Sequence, residues 1–432
     1  MAVSENTGLS LENEQRYSPD AWSVIAARGL RQFAYGLLGV TLAVALSERG
    51  LSPVAIGGLL TAALAGDFVA TYLISLFGDR WGRRRTLVWM AVIMATTGAI
   101  YGLTSFYPTL LLAAFVGTLG TSGSETVPFL PIEQAILPQT CAPDHRTELF
   151  ARYNLIASLA GALGALAAGA PDLLTRAGIP HSAAINLMFG VYALLALAVA
   201  FIAARLTPRV EAPRHASAAA SDQGDGWRTR LKRLFPPLGS SRGVILRLAG
   251  LFSVDAMAGA LVTQSLLALY FHLRFGVPLS SLALLFFGVN LLSALSLLAA
   301  APLARRFGLL NTMVFTHLPS NILLMLVALM PVYPLAAVTL LARQLLSQMD
   351  VPTRQAYTMA LTPPEERTAA ASVTSLARSA GSGVSPVISG ALLSGALVAL
   401  GLPLLIGGAL KSVYDLALWA VFRHVRPPDG QQ

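Results

Sequence analysis

At 432 residues, with 55% hydrophobic and only 12% charged side chains, the chain carries more apolar surface than a soluble domain covers, and its mean hydropathy of +0.65 predicts a membrane protein. The net charge of +9 does not predict nucleic-acid binding, because the basic residues fall in short clusters between apolar runs instead of along one polar face. A single cysteine, Cys141, excludes an internal disulfide and a cysteine-based metal centre.

In chain order, residues 1–21 read as a polar cytoplasmic tail without the charged, apolar, then small order of a cleaved signal peptide. A helix needs about 20 apolar residues to cross a bilayer core of about 30 Å. Such windows predict twelve spans, at 22–46, 54–77, 86–104, 109–131, 149–170, 183–206, 246–271, 279–302, 311–331, 333–353, 369–394 and 402–422. The fold class is all-α, with six spans in a bundle over 22–206 and six in a bundle over 246–422. Between them residues 207–245, basic and rich in Ala, Ser, Pro and Gly, read as a cytoplasmic linker. Residues 423–432 form a cytoplasmic tail.

Orientation follows from arginine and lysine, which are in excess on the cytoplasmic side. With the N-terminus inside, that side receives Arg80, Arg83, Arg84, Arg85, Arg146, Arg152, the basic linker, Arg305, Arg306, Arg367, Arg423 and Arg426. The opposite side receives only Arg49, Arg176 and Arg274. An even number of spans returns the C-terminus to the cytoplasm.

The two halves repeat. Gly50, Gly82, Tyr107 and Pro108 recur 226 positions later as Gly276, Gly308, Tyr333 and Pro334. At an offset of 221, "PIEQA" (131–135) faces "PTRQA" (352–356), and Arg146-Thr147 faces Arg367-Thr368. Two related six-span units are the expected result.

Between spans two and three lies "FGDRWGRRRT". Its ordered Asp-Arg-any-Gly-Arg-Arg core, the twelve spans, the central basic linker and a degenerate second copy, "LARRFGLLN" after span eight, resemble the major facilitator superfamily, bacterial efflux members included. The resemblance covers roughly residues 20–425. It implies a conformational latch of Asp79, Arg80, Gly82, Arg83 and Arg84, in which Asp79 meets the start of span eleven near Arg367 to Ala371. There, unsatisfied N–H groups favour an anion. Arg83 and Arg84 would pair with acids at neighbouring cytoplasmic helix ends. Ser75 stands where the family pattern has glycine.

The same resemblance places spans one, four, seven and ten around a central pathway. These carry Arg28, Arg31 and Tyr35, then Glu125 and Glu133, then Asp255, then Arg343, Asp350 and Arg354. A charge at mid-bilayer costs about 2.5–3.5 kcal/mol on the mildest scale, so such residues usually face a bundle interior or a wet cavity. Arg28 is near enough to the cytoplasmic end to snorkel. Arg31 with Asp255, and Glu133 with Arg354, are the pairs expected across the two halves, the second equally readable as an ordinary surface ion pair. Lys411 and Asp415, four apart on span twelve, are expected to neutralise one another, while Asp67 and Arg378 are read as satisfying buried partners or joining the latch region. Glycines in "GALGALAAGA" on span five fit close helix packing.

The expected function is secondary transport of a small organic solute by alternating access, as proton-coupled efflux by an antiporter, with Asp255, Glu133 or Glu125 as the proton carrier. Uptake or uniport of an organic anion held by Arg31 and Arg343 is the alternative. Span four lacks an arginine, and span five lacks the Gly-Pro pattern of drug/proton antiporters; both weigh against a drug exporter. A membrane-embedded enzyme is remote, since no HExxH, GxSxG or P-loop sequence appears and the six histidines are scattered. No cofactor or metal is expected. The expected partners are a small-molecule substrate, protons and the lipid bilayer, with no nucleic acid and a monomeric chain. Arginine outnumbers lysine 28 to 2, the bias of a GC-rich bacterial genome, which points to a cell inner membrane.

Overall fold

The structure, a computed structural model, describes residues 17–117, 119–120, 128–211, 239, 241–363 and 366–425. Glu125, Arg426 and most of the linker lie outside them.

The described chain is helical. Spans one to three become α1 (Pro19–Glu48), α2 (Pro53–Trp81) and α3 (Arg83–Leu103). Span four supplies α4 (Tyr107–Val116) and α5 (Leu130–Ile136). Span five is α6 (Arg146–Ala167) followed by α7 (Ala170–Arg176), and span six is α8 (His181–Ala204). In the second half, span seven is α9 (Arg242–Ala260) and α10 (Gln264–Phe275), span eight α11 (Leu279–Phe307), and span nine α12 (Leu309–Leu329). Span ten is α13 (Tyr333–Ser347) and α14 (Asp350–Ala360), span eleven α15 (Arg367–Ser382) and α16 (Ser385–Leu392), and span twelve α17 (Leu402–Phe422). Among the described residues, nine stretches are long and apolar enough to cross a membrane. Spans four, ten and eleven are not among these stretches.

Proline accounts for where spans ten and eleven break. It lacks an N–H and is tolerated in the first helical turn, not the interior. Pro352 lies in the first turn of α14 and Pro386 at the start of α16. Pro131 occupies the same place in α5, so "PIEQA" and "PTRQA" both open a new helix. Glycine repeats the pattern at the loops. Gly82 begins α3 with φ +88° and Gly308 begins α12 with φ +82°, a left-handed conformation that only glycine adopts without strain. The 226-residue offset counted in the sequence is thus also a repeat of backbone conformation.

The chain divides into two compact units, one of residues up to 39 with 65–224, the other of residues 40–64 with those from 225 onward. In the first unit, α3 and α8 pack closely enough that a Cβ on Gly98 would strike the Tyr192 ring. α6 lies on α1 through the span-five glycines: a Cβ on Gly36 would fall on the Gly161 carbonyl, and one on Gly164 on the Phe33 carbonyl. Close packing is therefore what these glycines do. Leu87, Met90, Phe129, Ile132, Tyr153 and Val199 fill the adjoining core.

In the second unit, Leu248, Phe252, Met313, Tyr357, Tyr414 and Leu418 form the core. Residues 53–61 run against α16, where Thr61 Oγ1 accepts from the Val387 N–H at 3.2 Å. A Cβ on Gly57 or Gly390 there would collide with backbone of the facing helix. Apolar side chains such as Leu194 (67% exposed) and Leu298 (71% exposed) stand outward on both units. That is the surface lipid covers, since the helices satisfy their own backbone hydrogen bonds.

Candidate functional site

The buried charge of the first unit centres on Glu133, in the first turn of α5 and 1% exposed. Arg31 of α1, 0% exposed, grips it with both terminal nitrogens, Nη1 to Oε1 at 2.6 Å and Nη2 to Oε2 at 2.8 Å. This two-pronged match of guanidinium to carboxylate is the strongest form of the pair. The Tyr153 hydroxyl of α6 donates to Oε2 at 2.6 Å, and Arg28 approaches the same oxygen at 3.8 Å. Each guanidinium also lies over a ring, Arg31 at 4.2 Å from the Phe129 centroid and Arg28 at 4.4 Å from that of Tyr153. Tyr35, one turn beyond Arg31, is buried with its ring against the backbone of Gly120, so close that a Cβ there would strike the ring. Asp67 of α2 is buried with Oδ1 unpaired.

The second unit carries a larger cluster around Asp255 of α9, 3% exposed. Lys411 of α17 donates to Oδ1 at 2.6 Å; Arg378 of α15 and Arg354 of α14 reach Oδ2 at 3.0 and 3.3 Å. Arg354 also donates to Asp350, one turn earlier, at 2.7 Å. Asp255 thus ties together four helices. Beside it, His317 of α12 lies 2.9 Å from Asp415 of α17 through Nδ1, and Asn321 Nδ2 donates to the other Asp415 oxygen at 2.9 Å. Arg343 of α13 is buried with Nε unpaired. Its Nη1 reaches Gln344 Oε1 at 3.3 Å, and among the described residues no carboxylate stands within 4.0 Å of it.

Several expected pairings are corrected. Arg31 holds Glu133 rather than Asp255, and Arg354 holds Asp255 and Asp350 rather than Glu133. Lys411 and Asp415 do not neutralise one another: the first is spent on Asp255, the second on His317 and Asn321. Arg343 does not share one continuous helix with Asp350 and Arg354, because the break after Ser347 intervenes. Arg378 satisfies a buried partner, Asp255, one of the two roles expected for it, while His317, Asn321 and Tyr153 enter the clusters without having been singled out. For His317 the sequence signal is an imidazole inside an apolar span, whereas Asn321 and Tyr153 carry no charge to mark them.

The corrected pairs are related by the repeat with their signs exchanged. Glu133 and Arg354 are equivalent at an offset of 221, and Asp255 corresponds to position 29, between Arg28 and Arg31. The first unit joins a cation on α1 to an anion on α5, while the second joins an anion on α9 to a cation on α14.

At the loop between α2 and α3, Arg83 Nε binds Asp79 at 2.7 Å, and Asp79 is largely exposed. The free N–H groups opening α3 are taken by Glu211: Arg83 N–H at 2.7 Å and Arg84 N–H at 3.3 Å. An anion at a helix start is favourable, and here the residue beyond α8 supplies it. Arg83 Nη1 also reaches the Val210 carbonyl at 3.3 Å, and Asp20 accepts from the Thr207 N–H at 3.0 Å. Arg80 is exposed. The expected side-chain pairing of Arg83 and Arg84 with acids at neighbouring helix ends is replaced by an Asp79 contact and by backbone capping. Among the described residues no group of three or more His, Cys, Asp or Glu could hold a metal ion.

The chain is 27% identical over 412 residues to the uncharacterized membrane protein YJR124C of Saccharomyces cerevisiae, covering 91% of this chain and 92% of that one. Its fold is similar to that of the nucleoside transporter NupG, with TM-score 0.69 and 13% identity over 94% of this chain and all of that one. It is likewise similar to a D-xylose-proton symporter, with TM-score 0.68 and 16% identity over 92% of this chain and 97% of that one. At these identities the solved structures establish the fold alone. The Major Facilitator Superfamily model matches residues 24–349, most of the chain, and with the nine membrane-length apolar helices among the described residues and the glycine-turned loop after α2 this makes the protein a membrane transporter, not an enzyme, that belongs to the Major Facilitator Superfamily.

Proposed function

We propose that this protein is a secondary active transporter that moves a small organic solute by alternating access, coupled to protons and working as an efflux antiporter. It acts as a monomer in the cell inner membrane with both termini cytoplasmic. The observation that carries this reading is the sign-exchanged pair of buried clusters, Arg31 with Glu133 in one unit and Asp255 with Arg354 in the other. Burying charge in a bilayer is costly, and packing the bundles does not require it. Arg31, Tyr35, Glu125, Glu133, Asp255, Arg343, Asp350 and Arg354 form the solute and proton pathway. Asp79, Arg80, Gly82, Arg83 and Arg84 form the cytoplasmic latch, in which Glu211 and Asp79 hold the α2–α3 turn in shape.

Arg343, without a carboxylate partner among the described residues, favours a second reading in which the solute is an organic anion taken up by the same fold. The test is flux in proteoliposomes with an imposed pH gradient, using labelled nucleosides, pentoses, dipeptides and benzoate as probes. The expected result is movement of at least one probe against its gradient, opposite in direction to the proton flow. Movement in the same direction as protons replaces efflux with uptake, and movement indifferent to the pH gradient contradicts proton coupling.

A further inference from the structure

Two of the carboxylates expected to carry the proton, Glu133 and Asp255, are already occupied by fixed cations. Glu133 has both oxygens on Arg31 and accepts Tyr153 as well. Asp255 has three cations within 3.3 Å, and Asp350 is held by Arg354 at 2.7 Å. A proton added to any of these would strand buried arginine or lysine without its counter-charge, the most costly way to break such a pair. Asp67 has the opposite defect: among the described residues its buried Oδ1 has no hydrogen-bond donor.

Asp415 differs from all four. Its partners are an imidazole and an amide, and among the described residues no arginine or lysine nitrogen lies within 4.0 Å of it. His317 is 3% exposed, and its ring meets that of Tyr414 edge-on at 6.3 Å.

From this geometry we infer that the His317–Asp415 pair is the site at which the coupling proton binds. The inference rests on the proton-coupled reading above. Nδ1–H donates to Asp415 Oδ1, which fixes the tautomer and leaves Nε2 as the atom that gains and loses the proton. With the proton bound, imidazolium and carboxylate compensate each other, and the pair is neutral. When the proton leaves, Asp415 keeps its charge with only Asn321 and a neutral imidazole against it, and the pair carries one negative charge.

That change has a route to the Asp255 cluster. Lys411 lies one turn before Asp415 on α17, where residues four apart share a face, and in this structure its ammonium is on Asp255. An uncompensated Asp415 draws Lys411 away, so the Lys411–Asp415 pair suggested by their spacing is the arrangement of the deprotonated state. Loss of one proton thereby loosens the residue that joins α9, α14, α15 and α17. The other titratable groups on helices packed against α12 are Tyr333 and Arg343 on α13, Asp350, Arg354 and Tyr357 on α14, and Tyr414 on α17. α11 adds Arg305 and Arg306 in its last turn. Asp350 and Arg354 are already paired, and the arginines and tyrosines do not exchange protons near neutrality.

The full-length protein with ¹⁵N-labelled histidine, in detergent micelles, tests this by following imidazole nitrogens with pH. One imidazole, identified by its absence in His317→Gln, is expected to keep Nδ1 protonated while Nε2 gains and loses its proton across the pH range in which the protein carries solute. Asp415→Asn is expected to weaken proton binding at Nε2 by about tenfold or more. An Nε2 occupancy that is flat over that range in the wild-type protein, or unchanged by Asp415→Asn, overturns the assignment; the first result does not depend on any variant folding. The two readings fail separately. Absence of probe flux counts against transport whatever His317 does, while pH-driven flux that survives His317→Gln overturns the proton site and leaves transport standing.

Discussion

Asp255→Asn is expected to abolish solute flux and to destabilise the protein in detergent by about 3–5 kcal/mol, the usual cost of removing one partner from a buried ion pair. The physical reason is the number of cations that depend on it. Lys411, Arg354 and Arg378 meet at this carboxylate, and a neutral amide leaves them facing one another, with Asp350 on Arg354. Insertion should be normal, because the hydropathy of the span barely changes. Adding Lys411→Met removes one stranded charge and is expected to recover a measurable part of the stability in a double-mutant cycle, read from thermal unfolding. Recovery without return of flux assigns Asp255 a role in the cycle beyond holding the helices. Wild-type flux in Asp255→Asn removes Asp255 from the pathway.

The Arg31–Glu133 pair separates structure from function more sharply. Arg31→Met alone leaves Glu133 buried with Tyr153 and a distant Arg28, and should again cost about 3–5 kcal/mol. Arg31→Met with Glu133→Leu replaces the pair by apolar side chains of similar volume, which is often neutral or stabilising. The double variant is therefore expected to unfold near the wild-type temperature while losing solute flux. Full flux in a stable double variant would mean that this pair only packs α1 against α5.

Much of the fold was legible in the sequence because it follows from local chemistry. Apolar run length sets the spans, and Gly82 and Gly308 stand where the chain takes positive φ. The repeated "PIEQA" and "PTRQA" are visible as a repeat, and their prolines mark helix starts that apolar run length alone does not show. Counting apolar residues treats a span as continuous, whereas Pro352 admits α14 only as a new helix after Ser347.

The site was legible as a set of residues and not as a set of contacts. Buried charges could be recognised one by one, since each is expensive in a bilayer. Their partners depend on helix rotation and on which helices adjoin. Lys411 and Asp415 have the spacing of a pair, yet Asp255 on α9 and His317 on α12 are better placed to receive them. Equivalence by repeat misled in the same way. Glu133 and Arg354 carry opposite charges at matching positions because each bundle has its own internal pair with the signs exchanged.

Alternating access requires that the buried polar faces line a solute route open to each side of the membrane in turn. Ser347, buried on α13 one turn beyond Arg343 with its hydroxyl on Gln344, lies on such a face. With Cys141→Ser removing the native thiol and Ser347→Cys added, a membrane-impermeant thiol reagent can be applied to right-side-out and to inverted vesicles. Labelling from both sides is the predicted result. Labelling from neither side, or from one side alone across the pH range in which the protein carries solute, would contradict it.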